Sequence, residues 1–423
     1  MKALLLLLLA VVTFVMALGT QITIFFHLTY LLLVLLVLAY AWAWSNLQGL
    51  EIERHVDNTR AQVGEFIRER LIITNRWALP KLWVEVRDHS DLPYHEPGFV
   101  AYIPGYGRRR WAIRTPCTMR GKFIIGPVTI QTGDPFGIFR FSRVDLETYD
   151  VLVYPATIDL PSFRLPVAEL QGGQDIRFRT FHVTPNVSTV REYVPGDSFN
   201  RIHWPSTART NRLIVKEFEL DPSADVWLVL DMEERVHQSI GLGAMQPSDI
   251  RPGRELRLPE STEEYAVTAT ASLARHLLSQ GRNVGLLAWG QHREIIPPER
   301  ESRQLLKILE ALAILRAAGS HSLEELLAAD SFRFSRNTSL LIVTPSMSRR
   351  WTDSLQHLLY RGVRASVVFV DPHSFGGGHE PAPLLSRLNE LRVPLYHIRQ
   401  GEPLDRALRE PASMYRTAGI SRR

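Results

Sequence analysis

Between Arg191 and Arg209 the chain collects residues able to do chemistry: Arg191, Tyr193, Gly196, Asp197, Arg201, His203, Trp204 and Arg209. Gly196-Asp197 punctuates a turn. Guanidinium groups recognise carboxylates and phosphates bidentately, and an indole can anchor an interface. Two readings follow. In one, these side chains form an outward polar surface that docks a partner or an anion. In the other they form an internal network, with Asp197 paired to an arginine and Trp204 packed between domains. No nucleophile stands at a useful spacing from an assigned base, so the stretch reads as recognition or structure and not as catalysis.

Other chemistry is sparse. Gly376-Gly377-Gly378 lacks the Gly-Lys-Ser/Thr of a phosphate-binding loop. Neither His-Glu-x-x-His nor Gly-x-Ser-x-Gly occurs. Cys117 is the only cysteine, which excludes an intramolecular disulfide and fits a reducing compartment. No His-Asn pattern marks it as a catalytic thiol. The formal net charge of +5 is small for 423 residues. Arg108-Arg109-Arg110 and Arg422-Arg423 are local basic spots without an aromatic ladder, so they read as solvated and no nucleic acid is expected.

The elements that position these residues begin with a membrane segment. Ala3 to Leu18 is almost wholly apolar, Gly19-Thr20-Gln21 interrupts it, and Ile22 to Trp44 is apolar again. As a helix the second run is roughly 35 Å long, enough for a hydrocarbon core of about 30 Å. Tyr40, Trp42 and Trp44 suit the headgroup level. The favoured reading is a two-pass hairpin over residues 1–46, with the lipid bilayer as partner. Lys2 before the first run and Arg54 and Arg60 after the second put both ends, and the soluble domains, in the cytoplasm. The competing reading is a cleaved signal peptide ending near Ala17-Leu18-Gly19.

Residues 50–160 read as an all-β sandwich. Leu82, Val84 and Val86 alternate with Trp83, Glu85 and Arg87, and turn signals recur at Pro97-Gly98, Pro104-Gly105 and Gly126-Pro127. Asp134-Pro135-Phe136-Gly137 reads as a structural turn, with Asp134 accepting backbone N–H groups. Residues 161–222 form a linker carrying the Arg191–Arg209 stretch. From 223 to 423 strands alternate with helices. Strands are expected at Val226–Leu230, Val284–Ala288, Leu340–Val343, Ala365–Val370 and Val393–Ile398. Helix is expected from Glu263 to Gln280, capped by Gly281, and over most of Glu299 to Ala318. That alternation predicts an α/β, doubly wound, mainly parallel sheet.

The Arg191–Arg209 stretch, the apolar run that follows, Arg120-Gly121-Lys-Phe123-Ile-Ile-Gly126-Pro127 and Asp134-Pro135-Phe136-Gly137 together resemble the domain of unknown function 58 family. Its members look like membrane proteins whose last domain is von Willebrand factor A-like. That resemblance implies a divalent-cation site at the strand ends, built on Asp-x-Ser-x-Ser and a later Asp. Here the first strand ends Asp231-Met-Glu233-Glu234-Arg235, and Thr344-Pro345-Ser346 stands where Thr-Asp-Gly is expected. The site is therefore degenerate at Asp231, Glu233, Arg235 and Pro345. No cofactor is expected beyond a weak magnesium option at Asp231. The resemblance also implies a non-enzymatic adaptor that works with a MoxR-type AAA+ ATPase to assemble or activate a client protein. The alternative is a metal-dependent ligand-binding or adhesion module, and an enzyme comes last.

Overall fold

The computed structural model describes residues 2–95, 97–165, 187–193, 202–218, 225–240, 245–250, 257–336, 338–378 and 380–411. Two apolar helices open the chain, α1 (Lys2–Thr20) and α2 (Thr23–Leu47), both long enough to span a membrane. Small residues let them approach. Ala10, Thr13 and Ala17 are buried on α1, and Thr29, Ala39 and Ala43 on α2. The Thr13 and Thr29 hydroxyls bond across the pair at 3.0 Å. Gln21, at φ 53°, makes the tight turn between them.

Helix α2 leads directly into nine strands: β1 (Leu50–Val56), β2 (Arg60–Gln62), β3 (Phe66–Asn75), β4 (Lys81–Ser90), β5 (Gly98–Ile103), β6 (Arg108–Pro116), β7 (Gly121–Gly133), β8 (Arg140–Asp145) and β9 (Tyr149–Tyr154). One sheet runs β1-β3-β6. The other runs β2-β9-β7-β4-β5, with β8 also on β7. Leu50, Leu71 and Ile73 from the first sheet share a buried cluster with Val84, Val86, Ile103, Val128 and Ile130 from the second. The period-two reading of β4 holds at Val84 and Val86 but breaks at Leu82. The pairing with β5 shifts register between Lys81 and Val84, which leaves Leu82 51 % exposed and Lys81 fully buried. Lys81 Nζ donates to Ser45 O at the end of α2 and lies 5.1 Å over the Trp77 ring.

Next comes an antiparallel pair, β10 (Val187–Glu192) and β11 (Ile214–Phe218), with the short helix α3 (Trp204–Thr210) between them. The C-terminal sheet contains β12 (Asp225–Leu230), β13 (Val284–Trp289), β14 (Arg293–Glu299), β15 (Thr338–Thr344), β16 (Arg364–Val370) and β17 (Leu395–Ile398) in the order β14-β13-β12-β15-β16-β17. Five strands are parallel and β14 is antiparallel. Helices α4 (Thr262–Ser279), α5 (Gln304–Ile314) and α9 (Leu404–Ala407) pack on one face with Val226, Leu228 and Leu230. Helices α6 (Leu323–Ala329), α7 (Arg350–Tyr360) and α8 (Ala382–Glu390) pack on the other with Trp227 and Val229. Central strands buried on both faces read as continuous apolar runs, which is why they were visible in sequence.

The helix expected over most of Glu299–Ala318 is shorter than that. Glu299 ends β14, and α5 covers only Gln304–Ile314. Pro297 and Pro298 mask β14 in the sequence, and an edge position is where a strand tolerates them.

One guanidinium joins the N-terminal sheets to the C-terminal one. Arg120, fully buried just before β7, donates Nε to Leu312 O (3.0 Å) and Nη2 to Leu315 O (2.8 Å). It also pairs with Glu263 and Glu264 in the first turn of α4. Arg316 Nη2 returns to Arg120 O at 2.8 Å. Arg120→Ala would strip these carbonyls of their donors and leave the two carboxylates only the more distant Arg316 Nη1, 3.7 Å from Glu264 and 3.9 Å from Glu263. It should lower unfolding stability by about 3–5 kcal/mol in denaturant titration of the purified chain. A loss below about 1 kcal/mol would show that the two parts hold together without this clamp.

Candidate functional site

The carboxyl edge of the C-terminal sheet gathers the polar strand ends, the usual binding edge of an open α/β sheet. Asp231 follows β12 and is 1 % exposed. Its Oδ2 accepts from Thr344 Oγ1 (2.6 Å) and its Oδ1 from the Glu233 N–H (3.2 Å). Burial pushes its carboxyl up to about 6, and those two hydrogen bonds only partly offset the shift. Its carbonyl meets His237 Nε2 at 3.0 Å, while His237 Nδ1 meets Thr262 Oγ1 at 3.1 Å. Burial lowers the His237 pKa and favours the neutral ring.

The Glu233 charge adds to the upward push on Asp231, but among the described residues the remaining positions form no ligand group with it. Glu233 is half-buried and bridges backbone to Gly319, and Arg235 is exposed on a short 3-10 turn, Glu234–Val236. Pro345 is buried and offers no side-chain ligand. Ser346 N donates to Thr344 Oγ1 at 2.8 Å, so that hydroxyl is occupied on both sides. Asp371, after β16, binds His397 Nε2 at 3.0 Å and caps the 3-10 turn Pro372–Phe375 through the His373 N–H. Burial opposes its ionisation, but the His397 ring and the His373 N–H outweigh burial and hold the carboxyl below its usual range. A hard cation needs several free oxygens in one shell. Each oxygen of Asp231 already accepts one hydrogen bond, and among the described residues no group of three acidic or histidine ligands forms at this edge to complete a shell. The residues present do not fit the cation site that the resemblance implies.

The Arg191–Arg209 stretch is only partly visible. Gly196, Asp197 and Arg201 lie outside the described residues, and Arg191 is described only as backbone in β10. Tyr193 N donates to Leu213 O at 2.8 Å. His203 is half-buried, with Nδ1 at 2.7 Å from Ser206 Oγ. Trp204 is 63 % exposed at the start of α3, and Arg209 is exposed at its end. An indole wedged between domains is therefore not what forms. The tryptophan and Arg209 project from a short helix, and the backbone around them is tied to β11 through His203 N and Ile214 O at 2.7 Å.

Sequence reasoning missed a second polar cluster. Arg54 (β1), Glu69 (β3), Asp88 (β4) and His95 are all buried where the two N-terminal sheets face each other. Arg54 Nη2 contacts Asp88 Oδ1. His95 Nε2 lies 3.1 Å from Asp88 Oδ2 and 3.7 Å from Glu69 Oε1, and its Nδ1 lies 2.8 Å from Thr115 Oγ1. Burial raises the Glu69 pKa against the pull of His95 and Arg54. Glu69, Asp88 and His95 each offer one atom able to ligate a metal, and these three atoms lie within 4.8 Å of one another. The Arg54 guanidinium already supplies positive charge there, so the cluster reads as an ion-paired cross-link between sheets. Residues so far apart in sequence carry no motif that could have announced it. Cys117 is buried, and burial pushes its thiol up to about 12, as suits an inert core residue.

The family model described as "Protein of unknown function DUF58" matches residues 189–374, which covers β10 to the turn after β16. The uncharacterized protein YeaD of Bacillus subtilis is 23 % identical over 282 residues, covering 63 % of this chain and 63 % of that protein. The match thus spans less than two thirds of the relative's length. Among solved structures, the CARDB domain of a Pyrococcus furiosus protein is 13 % identical, with 25 % of this chain and 91 % of that one covered and a TM-score of 0.20. The sporulation control protein Spo0M of Bacillus subtilis is 11 % identical, with 25 % and 50 % covered and a TM-score of 0.17. Likeness at that level carries no argument.

The raised Asp231 pKa gives a signed expectation. A carboxyl that binds its proton more tightly when folded loses stability as pH rises from 3.8 to about 6. Asp231→Asn removes the buried charge. At pH 7.5 it should be more stable than the parent by about 3 kcal/mol at most, and the gain should vanish near pH 4. Thermal melts at the two pH values, with magnesium and with chelator, check this. A variant less stable at pH 7.5, together with magnesium stabilisation of the parent, would mean that Asp231 is a cation ligand.

Proposed function

We propose that this chain is a non-enzymatic, membrane-anchored adaptor that works with a MoxR-type AAA+ ATPase in the assembly or activation of a client protein. On this reading α1 and α2 are a two-pass anchor, and the soluble parts face the cytoplasm. The facing N-terminal sheets form a β-sandwich, and the C-terminal sheet is a von Willebrand A-like domain. The observation that carries the reading is the carboxyl edge: among the described residues Asp231 has no partner ligands that would complete a cation shell, and Pro345 offers none. Such an edge suits binding through its loops more than through a shared cation. The match of residues 189–374 to a family of unknown function is compatible with this reading and does not supply it. The exposed Trp204 and Arg209 give a second, recognition-type surface.

The alternative, a metal-dependent ligand-binding module, requires an open ligand shell at Asp231. Affinity capture of the tagged full chain from its native membranes in mild detergent, with mass spectrometry, separates the two. We expect an AAA+ ATPase of MoxR type, recovered in magnesium-ATP and reduced at least several-fold by Trp204→Ala. Recovery should persist for Asp231→Asn. No ATPase in any condition would sink the adaptor reading. Capture of another ligand that chelator and Asp231→Asn both abolish would favour the metal-dependent module.

A further inference from the structure

The Asp134–Phe139 turn lies against the helical hairpin. Asp134 fixes the turn by accepting from the N–H groups of Phe136 (2.9 Å) and Phe139 (2.6 Å), and Gly137 takes φ 65° to close it. Behind the turn, Phe139 and Phe141 meet Tyr40 edge-on, with ring centroids 5.5 and 5.6 Å away. Asn46 Nδ2 ties the end of α2 to Gly133 O at 3.1 Å. The turn is thus held at a fixed height beside the apolar helices.

Its tip is left outside. Phe136 is 63 % exposed, although it is a large aromatic on a rigid turn. It stands between two openings. One, of ≈ 330 Å³, lies towards Trp42, Leu82 and Arg140. The other, of ≈ 790 Å³, is walled by Leu5, Leu8, Leu35, Phe136 and Ile138, with Lys2 at its rim. A Cβ placed on Gly137 would lie 3.7 Å from Lys2 Nζ, so the ammonium sits directly over the turn. Among the described residues Lys2 forms no salt bridge, and the Asp134 carboxylate is aimed at the N–H groups of its own turn. An apolar slot with one unpaired cation at its mouth is complementary to one amphiphile: an acyl chain that ends in an anionic headgroup.

We infer that the cleft between α1 and the Asp134–Phe139 turn is a binding site for an anionic phospholipid. Leu5, Leu8, Leu35, Phe136 and Ile138 cover the acyl chain, and Lys2 pairs with the phosphate. The inference rests on the membrane-anchor part of the proposed function and on nothing said there about an ATPase. It accounts for the exposed Phe136 and for Leu82, which the register shift in β4 turns towards the same side. Aromatic and cationic side chains are the groups that favour the headgroup level. The site holds the sheets at a fixed distance from the bilayer.

Native mass spectrometry of the purified full chain in dodecyl maltoside, with equal amounts of dioleoylphosphatidylglycerol and dioleoylphosphatidylcholine, tests it. One phosphatidylglycerol should be retained in preference. Lys2→Gln should reduce that preference about fivefold, the effect of one basic residue near an anionic surface, and Lys2→Arg should keep it. Phe136→Ser should reduce retention of both lipids. An unchanged preference in Lys2→Gln, or no lipid on the parent chain, overturns the site. Alkaline carbonate extraction of membranes separates the failures. If the chain is released, the anchor reading itself fails. If it stays embedded without lipid preference, only the lipid site does.

Discussion

A buried guanidinium has to satisfy its donors inside the protein, and Arg120 does so only where three separate segments meet. Its Nε and Nη2 need the carbonyls that α5 leaves open at its end, Leu312 O and Leu315 O. Its charge needs Glu263 and Glu264, which sit in the first turn of α4, where acidic groups also favour the helix dipole. Moving α4 or α5 by a few ångströms would strand a charge in the core. The cost of that, more than any gain from the pairing, fixes how the N-terminal sheets meet the C-terminal one.

From that junction the structure extends two ways. Towards the helical hairpin, β7 runs from Arg120 to the Asp134 turn, and Asn46, Lys81 and Tyr40 bind the end of α2 to the same sheet. Towards the other end, α4 leads from Glu263 under β12, whose last residue stands before Asp231. Packed elements thus connect the carboxyl edge with the hairpin.

Much of the C-terminal architecture was legible because its signals are local. A strand buried on both faces is a short apolar run, and α4 carries a helical period from Thr262 to Gly281, whose φ of 73° ends it. The two apolar helices were legible for the same reason. Features that depended on partners were not. Leu82 reads as a core residue by alternation, yet the register shift against β5 exposes it and buries Lys81. β14 hides behind Pro297-Pro298 until its edge position is known. At the candidate site, Glu233, Arg235 and Pro345 were visible as departures from a motif around Asp231, but only the fold showed that Thr344 and the Glu233 N–H each donate to that carboxylate.

The sequence by itself determined which segments are apolar helix, which are buried strand, and which side chains carry charge. Those properties follow from periodicity and residue chemistry within a dozen positions. Tertiary structure alone decided that Arg54, Glu69, Asp88 and His95 form one cluster, that Arg120 reaches α4 and α5, and that Phe136 and Lys2 border one cleft. These groups are separated by tens to hundreds of residues. Bringing them together depends on how whole sheets pack, a global minimum of burial and charge pairing that no local window encodes.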